Sequence, residues 1–373
     1  MHHTTLAQMA ITALIVALLP LSMAWISKDA SRYRKLVWIG VFLTFDLIVF
    51  GAFTRLTDSG LGCPDWPGCY GLANPFLAHA EIRAAEALQP TGPVTMVKAW
   101  IEMIHRYLAM AIGILIVAMM AVAWRRWTKT RQPGYAPGYP TFLFFFVCLQ
   151  GAFGAWTVTL KLQPVIVTMH LLLGMGLLAL LTWFGGRQDQ LLRPATAAGP
   201  AVPRARLAGV RKLALVSGLV LLVQLFLGGW VSTNYATLAC TEFPLCAGKL
   251  VPEMDFEHGF HLWRELGKTA AGHYLPFSAL TAIHWVHRNF AFVVVLVLGW
   301  TVARAWPIPA LRPVARGLAA ALALQALTGV ATIYLNYPLT IAVLHNAGAA
   351  ALVLLLTMLN YRAKFFNDAP AAH

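Results

Sequence analysis

Long apolar stretches alternate with short polar connections along almost the whole chain. Each stretch is about 20 residues long, which is the length a helix needs to cross roughly 30 Å of hydrocarbon. The pattern predicts membrane helices at 8–26, 36–54, 97–123, 141–158, 164–185, 213–231, 277–303, 317–335 and 339–360. The first contains Pro20, but basic residues follow it without a small-residue cleavage motif. We therefore interpret it as an extra membrane helix rather than a signal peptide.

Composition agrees with a membrane protein, because 59% of the 373 residues are hydrophobic and only 11% are charged. The net charge of +14 is typical of nucleic-acid binding, but its distribution argues against such a partner. Most basic residues fall in alternate connections, at 28–35, 125–131, 187–212, 304–316 and 362–364. This is the positive-inside pattern, so we expect these connections in the cytoplasm. The long loops at about 55–96 and 232–276 are then extracytoplasmic.

Two cysteine pairs lie in these long loops, Cys63 with Cys69 and Cys240 with Cys246, and both read Cys-x-x-aromatic-Pro-x-Cys. An oxidising compartment favours a disulfide within each pair. A zinc site and a redox-cycling thiol pair are the alternatives, although the spacing exceeds the usual zinc-ligand spacing. Cys148 lies inside a predicted span, where we expect a small buried apolar residue.

The loops also reveal a tandem repeat, because the order helix, Cys loop, His helix, Gln/Gly helix, His helix occurs twice. The matched positions are Gly51/Gly228, Cys63/Cys240, Cys69/Cys246, His105/His287, Gln150/Gln325, Gly154/Gly329 and His170/His345. We predict an all-α integral membrane protein, a duplicated four-helix bundle with eight core transmembrane helices plus the extra amino-terminal helix. The predicted division is 1–35 (extra helix and loop), 36–186 (first half), 187–212 (linker), 213–361 (second half) and 362–373 (tail).

Four of the repeated residues are histidines inside membrane helices: His105, His170, His287 and His345. An ionisable side chain at such a position is costly and usually functional. At about 1.5 Å per residue, each lies roughly 9–15 Å below the outer boundary. Two imidazoles at equal depth in one bundle can bind haem iron, so we predict one haem site per half. The alternative is that each histidine only bonds a neighbouring helix.

The halves differ three residues before the first histidine, where one has Glu102 and the other His284. Residues three apart share a helix face, so a carboxylate there can move protons beside a bound macrocycle. We interpret the Glu102 half as the site of chemistry and the His284 half as the site of a permanent haem. The alternative is that Glu102 pairs with Arg106 or Lys98.

An arginine follows the first histidine of each half, Arg106 in one and Arg288 in the other. These residues are accessory candidates, because a guanidinium can neutralise a haem propionate. They can also simply extend to the membrane interface.

The stretch Gly51-Ala-Phe-Thr-Arg-Leu-Thr-Asp-Ser-Gly-Leu-Gly-Cys-Pro-Asp-Trp-Pro-Gly-Cys-Tyr-Gly71, the Glu-x-x-His-Arg motif, the second Cys loop and the later histidines resemble the haem A synthase family. The resemblance covers the chain after residue 36. It implies that haem O is oxidised to haem A, a porphyrin methyl becoming a formyl group through successive hydroxylations. The extra amino-terminal segment and His284 depart from the family pattern.

The resemblance also implies roles for individual residues. His105 and His170 would bracket the substrate haem O, with Glu102 assisting catalysis, while His287 and His345 would ligate a haem b cofactor. In similar proteins the first cysteine pair is linked to electron or substrate transfer, and the second would be structural. His284 leaves a second candidate iron ligand on its helix, although the repeat alignment favours His287.

The expected location is the bacterial inner membrane, where the product would supply a terminal oxidase. Expected partners are membrane lipid, haem O synthase, oxidase assembly factors and further copies of the chain. The main alternative is a di-haem b electron carrier or quinone oxidoreductase, which uses the same four histidines but needs no Glu/His asymmetry. A haem transporter and a secondary transporter fit the sequence less well.

Overall fold

The computed structural model describes residues 2–26, 31–192 and 202–367. Within these ranges all named elements are helices: α1 His2–Ile26, α2 Arg32–Leu56, α3 His79–Leu88, α4 Met96–Thr130, α5 Gly138–Thr159, α6 Pro164–Leu191, α7 Arg204–Thr233, α8 Phe256–Gly259, α9 Phe277–Ala305, α10 Arg312–Tyr334 and α11 Leu339–Phe365. In the described chain, nine of them are long and apolar enough to cross a membrane. The prediction of an all-α integral membrane protein is therefore confirmed, while α3 and α8 are short helices of the long loops.

Local sequence explains where several of these helices begin and end. Thr95 caps α4, because its hydroxyl accepts a hydrogen bond from the Lys98 backbone N–H at 3.2 Å. Pro164 opens α6, where a missing N–H costs nothing. α4 ends at Thr130, and the next residue, Arg131, adopts the left-handed conformation that commonly stops a helix.

The chain forms two compact units, Met1–Leu162 and Gln163–His373. In the first unit, α1, α2 and α5 all pack on the long α4. In the second unit, α7 packs on α9, α10 packs on α11, and α6 packs on both α7 and α11. Each unit therefore buries its helices against its own neighbours.

The predicted linker and tail extend partly beyond the described residues. α6 continues to Leu191 and α7 begins at Arg204, so both ends of the predicted 187–212 linker are helical. Positions 27–30, 193–201 and 368–373 lie outside the described ranges. The predicted boundary at 186 stays a prediction, while the compact units meet between Leu162 and Gln163.

The position predicted for Cys148 was wrong, because its side chain is exposed on the surface of α5. α5 packs on α4 alone among the long helices of its unit, so most of its circumference has no protein neighbour. Apolarity by itself does not distinguish a residue that faces lipid from one that faces protein.

Candidate functional site

The first cysteine loop folds back on α4 as a closed structure. Cys63 and Cys69 form the predicted disulfide, and both are completely buried. The Asp65 carboxylate accepts hydrogen bonds from the backbone N–H groups of Tyr70 at 2.6 Å and Gly71 at 2.7 Å. Gly71 sits at a φ of +73°, which glycine adopts without strain. Because the sulfurs bond each other, a zinc site does not describe this loop, and the disulfide is the oxidised form that a redox-cycling pair would take.

Arg106 connects this loop to α4. Its Nη1 donates to the backbone oxygens of Asp65 at 2.9 Å, Pro67 at 3.1 Å and Gly68 at 2.6 Å. Its Nη2 donates to the Glu102 carboxylate. Both side chains of this ion pair are buried, with exposures of 9% and 5%. The arginine therefore satisfies three loop carbonyls while its charge is balanced by the acid one turn earlier.

Glu102 binds the loop directly as well. Its second oxygen accepts a hydrogen bond from the Cys63 backbone N–H at 2.8 Å. The preceding residue, Gly62, lies so close to α4 that a Cβ would meet the Lys98 backbone at 2.4 Å. Lys98 instead donates its ammonium to the Gly92 carbonyl at 3.4 Å. Of the two pairings considered for Glu102, the structure shows the one with Arg106.

The second cysteine loop repeats this arrangement, with Cys240 and Cys246 joined as predicted. Arg288 donates to the backbone oxygens of Glu242 at 2.6 Å, Leu245 at 3.1 Å and Pro244 at 3.1 Å. Each of these carbonyls lies 177 positions after one that Arg106 binds in the first loop. Because the two arginines bind matching carbonyls, the contacts support the duplication. They also favour an interpretation in which each arginine anchors the cysteine loop of its own half. Propionate binding by Arg106 and Arg288 stays a prediction.

His284 takes the place of Glu102 but makes different contacts. Its ring lies against the backbone of Ala236 and 6.4 Å from the Tyr337 ring in an edge-on arrangement. Its Nδ1 has no hydrogen-bond partner among the residues that the structure describes. Tyr337 donates its hydroxyl to the Cys240 carbonyl at 3.2 Å. Burial raises the pKa of Tyr337 to about 12, so this phenol remains a donor at physiological pH.

Three of the four predicted histidines pack against a glycine on a neighbouring helix. A Cβ at Gly51 would stand 3.0 Å from the His105 ring, one at Gly228 would stand 2.9 Å from the His287 ring, and one at Gly329 would stand 3.1 Å from the His345 ring. Each glycine removes the atom that would collide with the imidazole, so the ring fits between two helices. The repeated Gly/His pairs are thus explained by close helix approach.

His287 and His345 both lie in the second unit, on α9 and α11. The Nδ1 atom of His287 is buried, and within the described chain it has no hydrogen-bond partner. His345 has Thr328 3.0 Å from Nδ1 and Gln325 3.2 Å from Nε2. Two partly buried imidazoles with neutral polar neighbours are a donor set that fits haem iron.

The other predicted pair is divided between the units. His105 lies on α4 in the first unit, where its ring stacks 6.3 Å from Phe50. His170 lies on α6 in the second unit. Their joint role at one haem stays a prediction.

Sequence reasoning missed Thr328 and Tyr337, which contact the histidines of the second unit. A signal for Thr328 was present, because it lies between the repeated Gln325 and Gly329. Tyr337 has no such signal, since it lies in the turn between two helices.

The fold and site define a class: a multi-pass membrane protein with repeated histidine helices, each repeat anchored to a disulfide-bonded loop. The chain belongs to the COX15-CtaA family of cytochrome oxidase assembly proteins, whose family model matches residues 34–357.

Individual relatives agree with this assignment. Haem A synthase of Shewanella oneidensis is 37% identical over 332 residues, which is 88% of this chain and 96% of the relative. Haem A synthases of Novosphingobium aromaticivorans and Sphingopyxis alaskensis are 31% and 30% identical. The matches cover 87% and 90% of this chain and 93% of each relative.

Proposed function

We propose that this chain oxidises haem O to haem A, converting a porphyrin methyl group to a formyl group by successive hydroxylations. Family membership and relatives that are haem A synthases support this activity. The structural observation that most supports it is a difference at matched positions of the two halves. Glu102 binds the first cysteine loop and Arg106, whereas His284 makes different contacts. A protein that only moved electrons between two equal haems would need no such difference.

The proposed cofactor is haem b in the second unit, with His287 and His345 as iron ligands. Haem b supplies one-electron redox chemistry when it is bound. The glycine packing of each ring supports this choice. His284 is the weaker ligand candidate, because its ring faces the loop side of α9, against Ala236 and Tyr337.

The proposed substrate site uses His105 and His170 to hold haem O, with Glu102 as the catalytic group. Oxidising a methyl group releases protons, and a buried carboxylate close to the substrate can accept them. Glu102 is buried and lies one turn from His105, and both of its oxygens accept hydrogen bonds in the structure. Its link to the Cys63 backbone would hold the acceptor in place during the reaction.

The proposed setting is the bacterial inner membrane, with both cysteine loops extracytoplasmic. Basic residues concentrated in the opposite connections support this orientation. The partners proposed for the chain are haem O synthase, which makes the substrate, and oxidase assembly factors, which receive the product. Further copies of the chain are also proposed as partners.

The test is pigment analysis of purified protein, in which extracted haems are separated and weighed by mass spectrometry. We compare wild type with Glu102→Ala and with the matched position in the other half, His284→Ala. Wild type should contain haem b together with haem O or haem A. Glu102→Ala should accumulate haem O or a hydroxylated intermediate, whereas His284→Ala should still form haem A.

Two results would contradict the proposal. If every variant carries two equivalents of haem b and no other haem, the chain is an electron carrier. If Glu102→Ala forms haem A at the wild-type rate, the carboxylate has no catalytic role.

A further inference from the structure

Thr328 binds the proposed iron ligand His345 in a specific way. The threonine lies on α10 and is 4% exposed, and its Oγ1 is 3.0 Å from His345 Nδ1. The same hydroxyl donates to the Leu324 carbonyl at 2.9 Å. The Gln325 carbonyl lies 3.2 Å from the same oxygen, so two backbone acceptors are within reach of its single hydrogen. A threonine within a helix commonly directs that hydrogen to the backbone in this way.

This arrangement selects one form of the imidazole. With the hydroxyl hydrogen on the backbone, Oγ1 is the acceptor towards His345, and this assigns the ring proton to Nδ1. Nε2 is then the bare nitrogen, and it faces the Gln325 amide nitrogen, a donor, at 3.2 Å. A bare Nε2 with a bonded Nδ1–H is the form in which a histidine binds a metal.

The amino-terminal repeat lacks this device. Three residues of the second half each lie 175 positions after their counterparts in the first half, namely Gln325, Gly329 and His345. In the alignment of the two halves, the same shift matches Thr328 with Phe153. A phenyl ring has no oxygen, so Phe153 cannot provide the hydrogen-bond acceptor that the Thr328 hydroxyl provides. The glutamine, glycine and histidine are kept in both halves, whereas the residue before the glycine is a threonine in one and a phenylalanine in the other.

We propose that Thr328 is a positioning residue that fixes the tautomer and orientation of His345, so that the second unit retains its haem. The inference rests on the proposed function in one respect, namely that the carboxy-terminal half holds a resident haem. Hydrogen bonding at Nδ1 strengthens an imidazole as a ligand. The first half has Phe153 at the matched position and so has no threonine hydroxyl there. This difference suits a site from which a product haem must leave.

The experiment compares wild type with Thr328→Val, which keeps the shape but removes the hydroxyl, and with Thr328→Ser, which restores it. The control is Thr332→Val on the same helix, because among the described residues that hydroxyl bonds only the Gly329 carbonyl of its own helix, at 2.7 Å. Two quantities are measured on purified holoprotein: the rate of haem b transfer to apomyoglobin, and the midpoint potential of the bound haem b.

Thr328→Val should lose haem b about 10–100-fold faster than wild type. Its midpoint potential should rise, because a weaker imidazole donor stabilises ferric iron less. Thr328→Ser and Thr332→Val should match wild type in both quantities. If Thr328→Val does not fold, as judged by its melting temperature, Thr328→Ala takes its place with the same expectation.

Unchanged haem loss and potential in the hydroxyl-free variant would overturn the inference. The inference would also be overturned if haem loss is faster but Thr328→Ser does not restore it, or if haem loss is faster while the midpoint potential is unchanged. Either result would indicate that the threonine acts through packing. Neither measurement depends on turnover. The two proposals can therefore fail separately. If wild type makes no haem A but its retention of haem b depends on the Thr328 hydroxyl, the proposed function is refuted and this inference stands.

Discussion

The two loop-anchoring arginines make the same backbone contacts but have different charge partners. Arg106 and Arg288 each bind three carbonyls of a disulfide-bonded loop. Only Arg106 also pairs with a buried carboxylate, Glu102, because the matching position is His284. A buried ion pair contributes little net stability, but removing one partner leaves an uncompensated charge.

We therefore expect Arg106→Met to destabilise the protein more than Arg288→Met. Breaking a buried pair costs about 3–5 kcal/mol, whereas Arg288→Met loses hydrogen bonds without leaving a buried charge. The measurement is the melting temperature of each variant in one detergent. Adding Glu102→Gln to Arg106→Met should restore part of the loss, and equal melting temperatures for the two single variants would contradict the charge argument.

At the scale of helices, glycines set how closely the histidine helices approach their neighbours. Gly228 on α7 faces His287 on α9, and a Cβ there would stand 2.9 Å from the ring, closer than real contacts allow. A Cβ at Gly218, on the same helix, would have no atom within 4 Å. α7 thus supplies both a test position and its control.

We expect Gly228→Ala to displace the His287 ring and lower the haem b content of purified protein. Gly218→Ala should leave that content unchanged. Overpacking of this kind costs typically about 1–3 kcal/mol, which the ring or the helix must absorb by moving. Haem b per protein, measured by pyridine haemochrome absorbance, distinguishes the two variants. A wild-type haem content in Gly228→Ala would show that the close approach does not position the ligand.

At the scale of the molecule, the orientation in the membrane follows from charge rather than from packing. Basic residues concentrate in alternate connections, which predicts that both cysteine loops face the extracytoplasmic side. Glu81 in the first long loop and Lys129 at the far end of α4 are both exposed, so each can carry a reporter thiol.

In a Cys148→Ser background, a membrane-impermeant maleimide should label Glu81→Cys in intact bacterial cells. Lys129→Cys should react only after the cells are permeabilised. The Cys63–Cys69 and Cys240–Cys246 disulfides protect the other thiols from the reagent. The reverse labelling pattern would invert the predicted orientation.

The sequence by itself determined the membrane helices, the duplication and the disulfide pairs. These features depend only on the order of residues along the chain: the length of apolar stretches, offsets such as Cys63 to Cys240, and the spacing of cysteines. They can be recognised without knowing how the helices pack. It also identified Glu102 and His287 as residues of interest, because a polar group inside an apolar segment is conspicuous.

Only the tertiary structure decided what those residues touch. It directs both arginines to loop carbonyls, exposes Cys148, and brings Thr328 to His345. In each case the decisive contact joins groups that are distant in the chain or depends on which way a helix faces. An apolar helix carries little periodicity to reveal that facing, because lipid and protein interior both accept apolar side chains.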